Sequence, residues 1–362
     1  LDNQPTYYDS SGKKILAGWR YNKKEEFKYV SDLIRDSMPD EQHANWIVKK
    51  IKELENIKPS KPFFLGVGFV KPHTPLYAPK KYFDMFPLDG IILPEIKNGD
   101  IDDTHYKDVY PPSEMGLSYY NKLMLSFPES EGLKKFLRAY LACIAFMDDQ
   151  VGKVLNALEN SKFSENTIVV FTSDHGWQMG QKEYLYKNSP WEESTKIPMI
   201  IKTPQKQLGE VLEPVSLIDI YPTLIDLCKL QKTNSESNLE IDGNTLYPLL
   251  KKPNSKSWAG SEGALTLLGV GINKPIDGLA INKNKSAPWH IEIIKDLDNS
   301  YMKKQNYTIR TRDFRYILYK DSSEELYDHR NDPKEWNNLS SEKNYQKLKE
   351  KLRKQLIDKL NA

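Results

Sequence analysis

Hydrophobic and polar positions change rhythm along these 362 residues, and each rhythm predicts a different kind of element. Around Asp40 to Leu54 apolar residues recur at helical spacing, which predicts an amphipathic helix with Asp40 as its N-cap. Lys61 to Val70, Thr167 to Phe171 and Ile197 to Lys202 are short, β-branched or aromatic runs of the kind that form strands covered on both faces. Asp84 to Phe127 is rich in Pro, Gly, Asp and Tyr and predicts a long irregular insertion, a feature that in compact domains usually carries function. Leu133 to Leu158 predicts a long helix with Phe136, Tyr140, Ile144, Met147, Val151 and Leu155 as its core-facing stripe. Ser216 to Leu230 reads as a further helix, capped by Ser216 and kinked by Pro222. The alternation up to about residue 230 predicts an α/β fold, a mostly parallel central sheet with helices on both faces.

Beyond that point the pattern breaks. Residues 231–239 and 251–261 are polar and turn-like, which places a boundary between a main α/β domain over 1–255 and a C-terminal subdomain over 256–362. Gly263 to Val270, Tyr307 to Thr311 and Arg315 to Tyr319 alternate as short antiparallel strands, with Asp313 in a turn, and a Lys-rich helix runs from about Glu342 to Leu360.

Composition narrows the function classes. A hydrophobic content of 39% supports a sizeable core, and 52 basic against 50 acidic residues leave a net charge of +2, with no global field for nucleic acid or an anionic membrane. No apolar run approaches membrane-spanning length, and the N-terminus shows neither a signal peptide nor a start Met. Cys143 and Cys228 both sit in helix-like apolar surroundings, which predicts buried free thiols.

The chemistry concentrates in two turns. Asp174 and His175 stand at the carboxyl end of the strand Thr167 to Phe171, where open α/β sheets bind ligands, and Gly176 lets the chain turn there. An adjacent carboxylate and imidazole make a plausible ligand pair for a hard divalent cation. Upstream, the run ending at Val70 leads straight into Lys71-Pro72-His73-Thr74-Pro75. Trp177 and Trp191 suit either core packing or a sugar platform, and only Trp177 lies beside the Asp174 turn. His105, His290 and His329 match no catalytic pattern.

The Pro-His-x-Pro turn, Ser173-Asp174-His175-Gly176, Trp191-Glu192-Glu193-Ser194-Thr195-Lys196-Ile197-Pro198 and Glu325-Leu326-Tyr327-Asp328 with Asp332-Pro333, Glu335 and Asn338-Leu339 follow one another in an order that resembles the type I sulfatases. These belong to the alkaline-phosphatase superfamily, and the pattern is most similar to the iduronate-2-sulfatase branch and its bacterial polysaccharide-sulfatase relatives. The resemblance implies calcium as the metal, Asp174 as a direct ligand, and His175 in the position where that branch carries His. It implies that Lys187 contacts the sulfate and the bridging oxygen, and that His73 contacts sulfate and protonates the leaving alkoxide. Lys71 and Trp177 are the candidate pocket-lining residues beside these groups. It also implies a small C-terminal subdomain of one antiparallel sheet and one helix, and a secreted, periplasmic or lysosomal location.

One departure matters. The family nucleophile is a formylglycine made from Cys or Ser in Cys/Ser-x-Pro-x-Arg, and no such motif occurs in these 362 residues. The paired Asp residues that complete the metal site and the Gly-Lys-x-x-His sulfate segment are missing too. The expectation is therefore an N-terminally incomplete, exo-acting carbohydrate sulfatase that takes sulfated glycan, is inactive by itself, and has its own N-terminal fragment as a candidate partner. The alternatives are a non-catalytic glycan-binding relative and a phosphoester or phosphonate hydrolase of the same superfamily.

Overall fold

The computed structural model describes residues 7–8, 14–15, 35–57, 61–109, 115–128, 130–205, 208–230, 241–260, 262–268 and 305–361. Tyr7–Tyr8 (β1) and Lys14–Ile15 (β2) form a minimal antiparallel pair. The first helix, α1, spans Pro39–Ile57 and buries Ala44, Ile47 and Ile51. Asp40 does not cap it. Its carboxylate accepts instead from the amides of Val70 at 2.7 Å and Lys71 at 2.9 Å, while Glu41 accepts from Met38 N at 2.8 Å at the helix start. A long-range acceptor role has replaced the local one, and it ties α1 to the entry of the His73 turn.

The insertion after Asp84 is more regular than expected. Following α2 (Lys80–Asp84) it holds α3 (Tyr106–Val109) and α4 (Met115–Ser126). Helix α5 spans Glu131–Glu159, and its buried face is Leu133, Phe136, Ala139, Ala142, Cys143, Phe146 and Gln150. That face is rotated from the predicted stripe, leaving Leu155 exposed. Small Ala139 and Ala142 let neighbouring segments approach α5, so close packing rather than side-chain bulk chose the face. Ile47 and Ile51 of α1 join Phe163 in a satellite core, with Leu54, Phe63, Leu65 and Val154 packed against it.

Strand β3 (Val169–Thr172) pairs antiparallel with β4 (Met199–Lys202), Phe171 opposite Ile200, with α6 (Glu192–Thr195) lying between them in sequence. Residues 61–70, expected as a strand, have no ladder partner among the described residues. Ser216 and Asp219 form a reciprocal capping box that starts a 3-10 turn continuing into α7 (Ile220–Cys228). Pro222 falls in the first turn of α7, where its missing N–H has no helical partner to lose, so the expected kink does not arise. Cys143 is buried as predicted, but Cys228 is exposed at the end of α7.

After α8 (Tyr247–Lys251) comes the C-terminal sheet, β5 (Gly263–Leu268), β6 (Asn306–Thr311), β7 (Phe314–Leu318) and β8 (Glu324–Asp328), antiparallel in that order. Helix α9 (Gln346–Asn361) covers it, Leu352 and Leu356 packing with Tyr307, Ile309, Tyr316 and Leu326. A second core joins this sheet to the insertion and to Trp191, through Tyr106, Tyr184, Ile317, Tyr319 and Tyr327.

Glu325 sits at the centre of that junction. Its carboxylate accepts from Trp191 Nε1 at 3.0 Å, His105 N at 2.7 Å, Tyr319 OH at 2.9 Å and Tyr327 OH at 2.8 Å. Burial pushes its pKa upward, and these four donors oppose that shift. Replacing Glu325 by Leu strands the donors and is expected to cost about 3 kcal/mol or more in denaturant unfolding, with Glu325→Gln costing clearly less.

Candidate active site

The turn after β3 is built on α6. Gly176 N donates to Ser194 O at 2.8 Å and Trp177 N to Glu193 O at 2.7 Å. A Cβ at position 176 would lie 2.1 Å from Glu193 O, so glycine is required here for close approach to α6 rather than for a left-handed backbone. Asp174 Oδ1 accepts from His175 N at 3.1 Å, which fixes the carboxylate and turns Oδ2 toward the imidazole. His175 Nδ1 lies 2.8 Å from Gly176 O and donates to it, which in the neutral ring leaves Nε2 with a lone pair. Nε2 and Asp174 Oδ2 then face each other at 3.5 Å on an exposed turn, the Asp174 side chain 83% accessible. Two electron-rich atoms so placed suit a shared cation. They supply part of a coordination shell, since a calcium ion takes six to eight oxygen ligands.

Lys187 is placed by a small hairpin. Gln178 N donates to Tyr186 O at 2.8 Å and Gly180 N to Tyr184 O at 3.0 Å, which brings the residue after Tyr186 across from Trp177. The insertion holds the same loop: Tyr106 OH donates to Asn188 O at 2.7 Å, Leu185 N to Gly116 O at 3.2 Å, and Tyr119 packs edge-on against Tyr186. Lys187 itself is half-buried. Trp177 packs among Phe136, Tyr140 and Tyr186, with its indole N–H buried and without an acceptor among the described residues. Of the two uses open to this ring, packing is the one the contacts display.

The second turn, Lys71 to Pro75, presents His73 to solvent with Nδ1 2.5 Å from Thr74 O. Lys71 points the other way. It is 5% exposed, and its ammonium donates to Pro75 O at 2.7 Å and His73 O at 3.2 Å while lying over the Tyr77 ring. Burial lowers its pKa. The expected pocket-lining cation is thus the internal brace of the turn that carries His73. Both turns rest on α5: Cys143 Sγ lies 3.4 Å from Tyr77 O, and Tyr140, one helical turn earlier, packs on Trp177.

Sequence patterns did not disclose a buried ion network behind α6. Arg315 donates from Nε to Glu335 Oε1 at 2.5 Å, from Nη1 to Pro190 O and Thr308 Oγ1 at 3.1 and 2.9 Å, and from Nη2 to Glu192. Arg310 also reaches Glu192, at 3.0 Å. His329, unassigned in the sequence, accepts at Nδ1 from Arg310 and donates from Nε2 to Glu335 Oε1, each at 2.8 Å. Buried Lys182 pairs with Asp100 at 2.8 Å and donates to the Glu335 carbonyl. Ligand atoms of Glu192, His329 and Glu335 lie within 4.8 Å of one another, but two guanidinium groups already neutralise them, so the triad is an ion-pair cluster and not a metal centre. A cavity of about 90 Å³ beside Lys182, Glu192 and Glu335 is lined by none of His73, Asp174 or Lys187.

The Sulfatase family model matches residues 3–230, and the model for the C-terminal region of N-sulphoglucosamine sulphohydrolase matches residues 269–362. The chain belongs to the sulfatase family. A sulfatase of Formosa agariphila is 34% identical, the match covering 90% of this chain and 54% of the relative. Human iduronate 2-sulfatase is 30% identical over 56% of this chain and 42% of its own length. The sulfatase chain described here therefore spans about half the length of these curated relatives. The solved phosphonate monoester hydrolase of Agrobacterium radiobacter aligns with a TM-score of 0.67 at 23% identity, over 96% of this chain and 64% of that one. That likeness supports the expected α/β fold, and the small antiparallel C-terminal sheet with its helix is present as the resemblance implied.

The network also predicts a pH response. Burial opposes ionisation of Glu335, but the Arg315 charge and the His329 hydrogen bond overcome it and hold the carboxyl down at about 2. A depressed carboxyl stabilises the fold above its unfolded pKa, and that contribution is lost as pH falls toward the folded value. The contribution of Glu335 to thermal stability should therefore be full and constant above about pH 5 and fall progressively from about pH 4.5 to 2. Glu335→Gln should lower the midpoint at neutral pH and flatten this acid limb.

Proposed function

We propose that the protein is an exo-acting carbohydrate sulfatase, a sulfuric ester hydrolase that removes sulfate from sulfated glycans. The observation that carries this reading is the convergence of Asp174 Oδ2 and His175 Nε2 on one exposed turn, with the Lys187 loop hydrogen-bonded across from it. On this reading residues 1–255 form the catalytic unit and 256–362 the subdomain that supports it, and the protein acts in a secreted, periplasmic or lysosomal compartment. No described helix is long and apolar enough to cross a membrane.

Asp174 and His175 would hold calcium, which when bound supplies positive charge against the sulfate oxygens. A formylglycine nucleophile would come from polypeptide outside these residues. Lys187 adds a cation on a loop fixed by Tyr106 and Gln178, and its charge is worth most as negative charge builds on the bridging oxygen. When the S–O bond breaks, its electron pair stays with the sugar oxygen. His73 is suited to protonate that oxygen, because Thr74 O engages Nδ1 and leaves Nε2 directed outward with its proton when the ring is charged. The insertion after Asp84, which packs on the Lys187 loop, would wall the site into a pocket suited to chain ends.

Incubation of the full-length protein with defined sulfated oligosaccharides is expected to release sulfate from terminal residues first. Release mainly from internal positions refutes the exo assignment, and no release from any member of the panel refutes the enzyme. Asp174→Ala should weaken calcium binding in calorimetric titration and turnover together. Lys187→Ala should lower turnover about a hundredfold with calcium affinity unchanged. His73→Ala should impair sugar sulfates far more than activated aryl sulfates, whose leaving group needs no proton; equal losses on both would remove its role as acid.

A further inference from the structure

The C-terminal sheet reaches the active-site turn by an unbroken path of ion pairs and hydrogen bonds. Arg315 on β7 and Arg310 on β6 grip the Glu192 carboxylate at the start of α6. Glu335, in the left-handed region at φ 61°, turns its Oε2 onto Glu192 N at 2.9 Å, so the first residue of α6 is held by both backbone and side chain. The carbonyls of Glu193 and Ser194, the next residues of α6, accept the amides of Trp177 and Gly176. Asp174 and His175 immediately precede these two amides. On the other flank the Lys187 loop is pinned at both ends, by Lys182 to Asp100 and Glu335, and by Pro190 O to Arg315.

We propose that Glu192, Arg315 and Glu335 are positioning residues for the sulfatase site, setting through α6 the placement of the Asp174–His175 turn and of Lys187. Arg315 is the centre of the device: its donors go to Glu335, Pro190, Thr308 and Glu192, acceptors drawn from β6, the loop after β8 and the segment leading into α6. A guanidinium fork with acceptors on separate segments permits one relative placement of them, because its donors are coplanar and fixed in direction. The C-terminal subdomain is therefore part of the catalytic apparatus although none of these side chains touches substrate. The inference rests on the sulfatase reading for its catalytic consequence, but not for its mechanical content.

The deciding experiment is residue-resolved amide hydrogen exchange on the full-length protein, comparing wild type with Glu192→Gln and Glu192→Asp. Glu192→Gln keeps the shape of the side chain and removes its charge, which avoids stranding a buried carboxylate as loss of Arg315 would. Exchange at Gly176 and Trp177 is expected to rise about tenfold or more, with α5 and the β6–β8 amides unchanged. No change at Gly176 and Trp177, or an equal rise throughout the chain, overturns the proposal; the second pattern would mean general destabilisation only. In turnover assays Glu192→Gln should lower kcat about tenfold with KM within about threefold, and Glu192→Asp should recover part of the loss. An unaltered kcat accompanied by the local exchange change would overturn the catalytic consequence. A wild-type protein without turnover would instead sink the sulfatase reading, leaving the exchange result to judge the mechanical coupling.

Discussion

A guanidinium inside a protein is stable only if every direction in which it points offers an acceptor. Arg315 is 1% exposed and meets that condition with two carboxylates, a hydroxyl and a carbonyl. Its desolvation would be prohibitive with no carboxylate partner, since breaking a buried pair costs about 3–5 kcal/mol. Because the acceptors belong to separate stretches of chain, satisfying Arg315 and folding the region are the same event. Lys182 and Glu325 repeat the rule nearby, each buried and each bound to groups from distant segments. The junction between the C-terminal sheet and the segment bearing Lys187 is therefore specified by charge and not merely by apolar area.

The sequence exposed the candidate site more readily than its foundation. Asp174, His175, His73 and Lys187 stand out because each lies in a turn with a distinctive local pattern. Glu192, Glu325 and Glu335 lie inside motifs just as distinctive, yet nothing local says what they touch: Arg315 and Glu192 are 123 residues apart. Charged residues are exposed by default, so a buried, mutually satisfied set is the arrangement least visible to pattern reading. Lys71 is hidden from pattern reading for the same reason. Its place beside His73 suggested a pocket cation, while its chain folds inward to the carbonyls of its own turn.

Helical periodicity had a different limit. It located α5 correctly, yet the spacing of large apolar residues chose the wrong face. Tyr140 and Met147 belong to the predicted stripe, but the fully buried line runs through Ala139, Ala142, Cys143 and Phe146. Where a neighbour must come close, small residues mark the contact and bulky ones flank it. The same logic governs Gly176, whose role is legible only once α6 is seen to lie against it. Asp40 shows the converse, a local cap signal diverted to two amides some thirty residues away.

These features divide the site into two zones with opposite demands. His73 and Asp174 are exposed, open to a ligand from solvent. The residues beneath them are inert by construction: burial pushes both the Cys143 thiol and the Tyr140 hydroxyl up to about 12, so neither titrates or reacts near neutral pH. Helix α5 thus offers both turns an uncharged floor, while α6 and the Arg315 cluster fix the Asp174 turn from its other side. A carboxylate and an imidazole on a short exposed turn would otherwise sample many geometries, and ordering them when ligand arrives would consume binding energy. Holding the turn by backbone amides, and the helix behind it by a buried ion cluster, moves that ordering into the folding of the protein. The cost falls on the interior, where Arg315 can be satisfied, and the exposed groups are held in place without contributing to it.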